Sequence, residues 1–262
     1  MKKLIFTMDV EEWFHAENLR PYMNYDEISS KFSTLNYLNP VLDFLSSQDI
    51  KGTFFILAKI AEKNKSIVKK IHDLGHEIAN HGLDHSLLGN LNKEKLEKDI
   101  NDSTKILEDL IGSKVIGYRS PCFSQNENLS DALKKNDYKY TSMSIETSFH
   151  DRYKDNSYEP KNSLVDFPIP VARLGPLKVV CTGGGWFRLF PVSLQKTLLN
   201  ISKEKNPIFY CHPWDFGDNM PKINSKIPFL KKFRHKVNSK KSLSKLEKLD
   251  FSKKPLKEYL TI

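Results

Sequence analysis

The sequence predicts an α/β protein built as an irregular (β/α) barrel, and three observations carry that prediction. Strand-like and helix-like segments alternate over roughly 250 residues. The reactive side chains Asp9, Glu11, His81, His85, Arg119 and His212 fall at or just beyond the C-terminal ends of predicted strands, where a barrel gathers its site. No glycine-rich loop follows the first strand, which weakens a nucleotide-binding doubly wound sheet.

The elements follow from periodicity. Leu4 to Met8 is a short apolar strand ending in Asp9-Val10-Glu11-Glu12-Trp13-Phe14, and Ser33 to Ser46 has helical spacing at Leu35, Leu38, Val41, Leu42 and Leu45. Gly52 to Leu57 reads as a buried strand, Ile60 to Leu74 as a helix, His76 to Ala79 as a strand, Asn92 to Ile111 as a long amphipathic helix and Val115 to Arg119 as a strand. Leu129 to Asn136 is a short helix before a strand near Tyr138 to Met143. Further strands are expected at Leu164 to Pro168, Lys178 to Cys181 and Ile208 to Cys211, with a helix at Val192 to Ile201.

Composition bounds the function. With 262 residues, 39% of them hydrophobic, the chain can bury a substantial core as one catalytic domain, with a barrel core over 1–219 and a basic helical extension over 220–262. Cys122, Cys181 and Cys211 are odd in number and dissimilar in surroundings, which fits reduced thiols; with no signal-like or membrane-spanning run, a cytoplasmic setting is expected. The net charge of +9 is local: from Lys226 to Glu258 there are twelve Lys and Arg against three acids, which accounts for the whole excess. That confinement argues against a nucleic-acid partner. Phe229, Leu230, Phe233, Val237, Leu243, Leu246 and Leu249 among those lysines predict one or two amphipathic helices packed on the barrel with charged faces in water. A peripheral contact of this segment with anionic lipid is the sharper expectation.

The stretch Gly75 to His85 sets two of its three imidazoles, His81 and His85, four residues apart. On the first turn of a helix that spacing aims both rings at one cation. Beside it stand Thr7-Met8-Asp9-Val10-Glu11, Gly52-Thr53-Phe54-Phe55, Arg119-Ser120-Pro121 and Tyr210-Cys211-His212. Five such strings in this order, spanning about residues 4–216, resemble the motifs of the polysaccharide deacetylases with the NodB homology domain, carbohydrate esterase family 4. Gly183 to Pro191, His212-Pro213-Trp214 and Phe233-Arg234-His235 are similar to the branch found in exopolysaccharide and surface-glycan gene clusters.

The resemblance implies metal-dependent hydrolysis of an N-acetyl group on an amino sugar, with a divalent cation, zinc first, as cofactor. A cation held by two imidazoles and a carboxylate lowers the pKa of its water, and residues two apart on a strand face the same way, so Asp9 and Glu11 can divide the work of base and ligand. By resemblance Asp9 is the base and Glu11, His81 and His85 hold the metal. The family's usual adjacent aspartates are replaced here by Asp-Val-Glu, which leaves Glu12 as an alternative ligand. His212 matches the general acid, Arg119 the arginine that orients the aspartate, and the backbone N–H of Cys122 an oxyanion donor. Asp166 is the candidate group near His212. Trp186, Trp214 and Trp13 are candidate sugar platforms, Gly183 to Gly185 permits a tight turn beneath Trp186, and Asp84 is a helix-start residue or a partner of a liganding histidine. Rival readings are a deformylase or other amide hydrolase acting on a nucleotide- or lipid-linked sugar, and a glycan-binding module without catalysis.

Overall fold

A computed structural model describes residues 2–22, 33–149, 158–217 and 227–260. Its centre is a seven-stranded parallel sheet made of β1 (Ile5–Val10), β2 (Thr53–Ile56), β3 (Glu77–Asn80), β4 (Gly117–Tyr118), β5 (Tyr140–Thr141), β6 (Val165–Asp166) and β9 (Ile208–Cys211). The order is β6-β5-β4-β3-β2-β1-β9, an open run whose edges β6 and β9 are not paired with each other, so the barrel is incomplete. The remaining strands, β7 (Val171–Leu174) and β8 (Leu177–Val180), form an antiparallel hairpin. The sequence reading found β8 but not its partner, whose Arg173 and exposed Leu174 break the apolar pattern of a buried strand.

Parallel strands covered on both faces need continuous apolar runs. β1 and β2 supply them, buried along their whole lengths. Phe6, Phe54 and Phe209 from neighbouring strands meet on one face, each buried ring contributing on the order of 2–3 kcal/mol. Helices cover the sheet: α1 (Leu38–Ser47), α2 (Ala58–Lys63), α3 (Lys65–Asp73), α4 (Lys93–Ile111), α5 (Leu129–Lys135), α6 (Gly184–Leu189) and α7 (Val192–Ile201). The single helix expected over Ile60 to Leu74 is two, broken at Asn64, whose backbone (φ −129°, ψ 47°) leaves the helical region. The long helix α4 starts where the Asn92 side chain accepts the Lys95 N–H and stops at Gly112 in the left-handed region.

The C-terminal segment forms α8 (Phe229–Lys236) and α9 (Ser242–Leu246) and then returns to the sheet. Leu4 donates to the Asp250 carbonyl and accepts from the Ser252 N–H, tying the first strand to residues near the end of the described chain. The expected packing of both helices is half right. Leu246 and Leu249 are buried, but Phe229, Leu230 and Phe233 lie outward at 80%, 67% and 43% exposure. The expected boundary at 219/220 lies outside the described residues.

Candidate active site

Three strand ends, those of β1, β4 and β9, and one loop build the site. Asp9 belongs to β1, and Arg119 follows β4, with two strands, β2 and β3, between them. Arg119 is wholly buried; its Nη1 donates to Asp9 Oδ1 at 2.6 Å and to Thr7 Oγ1 at 3.1 Å, and its Nη2 to Ser142 Oγ at 2.8 Å. Its guanidinium lies 4.1 Å from the centre of the Phe55 ring. A planar cation with its donors all directed in this way holds the Asp9 carboxylate in one orientation.

The histidine pair is not helical. Residues 81–87 form a loop after β3 in which Gly82 (φ 89°) and His85 (φ 66°) adopt left-handed backbone. Asn80 organises it: its Oδ1 accepts the Gly82 N–H at 2.7 Å while its Nδ2 donates to Ser103 and to Tyr138. Asp99 of α4 accepts the Leu83 N–H at 3.2 Å. Two positive-φ residues in five, rather than a helical turn, bring both rings to one point. His81 Nδ1 donates to the Arg119 carbonyl at 2.8 Å in the tautomer that leaves Nε2 as a lone-pair donor, the arrangement that presets a metal ligand.

Glu11, His81 and His85 are buried and place one donor atom each within 4.8 Å of one another. Glu11 Oε2 lies 2.6 Å from His85 Nε2, and His85 Nδ1 is buried without a hydrogen-bond partner among the described residues. Burial alone would raise the Glu11 carboxyl, but His85, then His212 and His81, hold it well below the usual carboxylate range. Burial lowers the His81 pKa against the opposing pull of Asp9 and Glu11, favouring the neutral ring that a cation requires. Two neutral nitrogens and one carboxylate fit a divalent cation of the zinc type. Glu12 is elsewhere: its carboxylate accepts from Ser33 Oγ and from the N–H and hydroxyl of Thr34, capping a short 3₁₀ turn. Of the two acids that the sequence leaves open, Glu11 is the one that stands with His81 and His85.

His212 stands opposite. Its Nε2 is 3.5 Å from Glu11 Oε1 and its Nδ1 3.1 Å from Asp215 Oδ2, and its ring stacks on Trp214 with centroids 4.3 Å apart. Burial would lower the His212 pKa, yet the Asp215 hydrogen bond and charge, with Glu11 and Asp9, raise it. Asp215 is in turn paired with Arg188 Nε at 2.9 Å.

Asp166 was the expected neighbour of His212, and it is not. It lies on β6, at the opposite edge of the sheet from β9, accepting from Thr141 Oγ1 and the Met143 N–H. The signal for Asp215 was present: an aspartate three residues after a histidine, with proline between, forms a reciprocal cap in which Asp215 also takes the His212 N–H. Asp84 pairs with Lys59 and Ser86, not with a histidine. Trp214 (3% exposed) and Trp13 (2%) are buried, Trp214 within the wall of the polar cavity. Trp186 is half-buried in an apolar groove beside the site. Cys122, in left-handed backbone at φ 53°, lies on the wall of the polar cavity. His15, which sequence reasoning missed, stacks on His85 with centroids 5.4 Å apart, and burial pulls its pKa down to about 4.

The cavity holding these groups has a volume of about 190 Å³ and is lined by Asp9, Glu11, His81, His85, Cys122 and His212 among others. Residues 21–141 match the polysaccharide deacetylase family model, and residues 141–260 match a domain of unknown function, DUF3473. A peptidoglycan-N-acetylglucosamine deacetylase of Bacillus cereus is 27% identical over 168 residues, covering 64% of this chain and 76% of that protein. The chain spans half or less of the length of further curated relatives. Among solved structures, a family 4 carbohydrate esterase from Streptomyces lividans in complex with acetate superposes with a TM-score of 0.52 at 12% identity, covering 96% of this chain and 92% of that one. A carbohydrate esterase family 4 pseudoenzyme from Bacillus anthracis superposes with a TM-score of 0.54 at 13% identity, covering 99% and 66%. Over residues 21–141 the chain therefore matches the polysaccharide deacetylase family, and it has the fold of the family 4 carbohydrate esterases.

Proposed function

We propose that this chain is a divalent-metal-dependent hydrolase that removes the N-acetyl group from an amino sugar of a surface polysaccharide or its precursor, in cytoplasmic assembly of that glycan. The observation that carries the reading is the opposition, across one small cavity, of an oriented carboxylate and a carboxylate-backed histidine, with a buried Glu-His-His cluster between them. A pseudoenzyme shares the fold, so fold alone decides nothing about activity, and the side chains must carry the argument.

Glu11, His81 and His85 would hold the cation, zinc first among the candidates for this donor set. When bound, it supplies Lewis acidity toward the amide carbonyl and makes water more acidic. Asp9, fixed by Arg119, takes the proton from the attacking water. The N–H of Cys122, on the cavity wall, supports the developing oxyanion. His212, kept protonated by Asp215, gives its proton to the departing nitrogen as the C–N bond breaks, so that acetate and a free amine leave.

Metal content and acetate release from a panel of N-acetylated sugars test this together. The His81→Ala/His85→Ala double variant should lose both stoichiometric metal and hydrolysis, by at least about 10³-fold. An active, metal-free double variant would refute the mechanism. A wild-type protein that releases no acetate and binds no metal would return the chain to the glycan-binding reading.

A further inference from the structure

Helix α8, Phe229-Leu230-Lys231-Lys232-Phe233-Arg234-His235-Lys236, is built against the usual rule. Phe229, Leu230, Phe233 and Val237 recur at the i, i+1, i+4, i+8 spacing of one helix face, which ordinarily turns inward. Here the side of the helix that faces the protein presents His235 and backbone carbonyls, while Arg234 and Lys236 are exposed. His235 is buried, with Nε2 3.0 Å from Asn18 Oδ1, and the carbonyls of Arg234 and His235 receive the two terminal nitrogens of Arg188. The apolar residues are left outward, Phe229 at 80% and Leu230 at 67% exposure, with Phe229 and Phe233 stacked at 6.3 Å.

The patch continues into a groove of about 390 Å³ whose apolar walls include Ile145, Phe149, Trp186, Leu189, Leu230 and Phe233. Gly185, Tyr210 and Arg234 line both that groove and the polar cavity, so the two join. Contiguous outward aromatic and aliphatic surface on one helix marks an interaction site. The same eight residues carry Lys231, Lys232, Arg234 and Lys236 and no acid, and Lys231 also lies 4.9 Å from the centre of the Tyr22 ring. Large apolar side chains ringed by cations match one partner in particular, a bilayer whose acyl boundary accepts the rings and whose anionic headgroups meet the ammonium and guanidinium groups.

We propose that α8 and the adjoining groove dock this protein on an anionic lipid bilayer, bringing the mouth of the polar cavity to the membrane surface. The docking does not depend on the reaction proposed above. If both hold, the substrate class narrows to amino sugars presented on a lipid carrier.

The test is co-sedimentation of the full chain with phosphatidylcholine vesicles, with and without phosphatidylglycerol. Binding should be at least tenfold tighter with phosphatidylglycerol and should weaken as salt is raised. Phe229→Asp/Leu230→Asp should reduce it at least tenfold while the thermal melt stays in place, since both side chains are already in solvent. A second variant, Phe229→Trp, reports burial directly: its emission should shift to the blue on anionic vesicles and be quenched by brominated acyl chains. Equal partitioning to both vesicle types, binding unchanged in the double variant, or an unshifted Phe229→Trp spectrum would overturn the proposal. So would a dimer that the double variant dissolves in a protein that ignores vesicles.

Discussion

The two sides of the cavity are made differently. Asp9 stands on β1 and Arg119 just past the end of β4, both strands interior to the sheet, and the partners of Arg119, Thr7 and Ser142, are themselves buried. His212 instead leans on Asp215, Asp215 on Arg188, and Arg188 on the last carbonyls of α8, a surface helix. The first side is a property of the core, and its failure should be a failure of folding. The second is a relay from the surface to a catalytic candidate, and its failure should spare the fold and alter the chemistry.

Four experiments press on that contrast. Arg119→Ala should give the largest effect, leaving Asp9 buried without its cation and costing about 3–5 kcal/mol, read as a lowered denaturation midpoint together with lost hydrolysis. Asp215→Asn should keep the shape of the turn, lower the melt less than Arg119→Ala does although Arg188 loses its counter-charge, and slow acetate release by about 10²–10⁴-fold. Because Asp215 raises the His212 pKa, its removal lets the proton leave at lower pH, so the alkaline limb of the rate profile should move toward acid. A Tm collapse in Asp215→Asn, or full activity in Arg119→Ala, would erase the distinction between the two sides.

A smaller effect separates the histidine loop from both. Burial raises the Asp99 carboxyl from 3.8 to about 6, so the folded state holds this proton after the unfolded state has lost it. The contribution to stability is therefore fully present below pH 3.8 and is lost as pH rises toward about 6, a change on the order of 2–3 kcal/mol. Asp99→Asn keeps an acceptor for the Leu83 N–H and should flatten that stretch of the stability profile, measured by denaturant titration at several pH values. The smallest expected change is Gly184→Ala. An added Cβ would sit 2.5 Å from Asp215 Oδ2, pushing the carboxylate off His212 and costing about tenfold in hydrolysis with little loss of stability.

Much of this was legible in the chain because strands of a parallel sheet announce themselves. The runs at Thr53 to Ile56 and Ile208 to Cys211 are apolar throughout, so the residues just past their ends could be read as candidates for the mouth of a site. Asp9 and Glu11 follow from the two-residue repeat of a strand, although Glu11 itself lies one residue beyond β1. What could not be read depended on backbone with no period. The His81–His85 loop meets at one point through left-handed residues rather than a helical turn. The outward face of α8 was invisible for a related reason: an amphipathic pattern gives the direction of the apolar stripe relative to the polar one, but not which side meets the protein. The glycine run reads in the sequence as a tight turn beneath Trp186, and only the fold shows that Gly184 leaves room for the Asp215 carboxylate.

The pairing of β1 with both β2 and β9 has a consequence for biosynthesis. Thr7 stands opposite Thr53 on one side and Tyr210 on the other, so the strand that carries Asp9 cannot be enclosed until synthesis has passed residue 210. A ribosome elongating at about 5–20 residues per second leaves that apolar edge unpaired for several seconds or more. A nascent chain of this kind depends on whatever shields an open strand in the interval, and brief pauses in translation after the β3 and β4 segments would lengthen its exposure rather than help it.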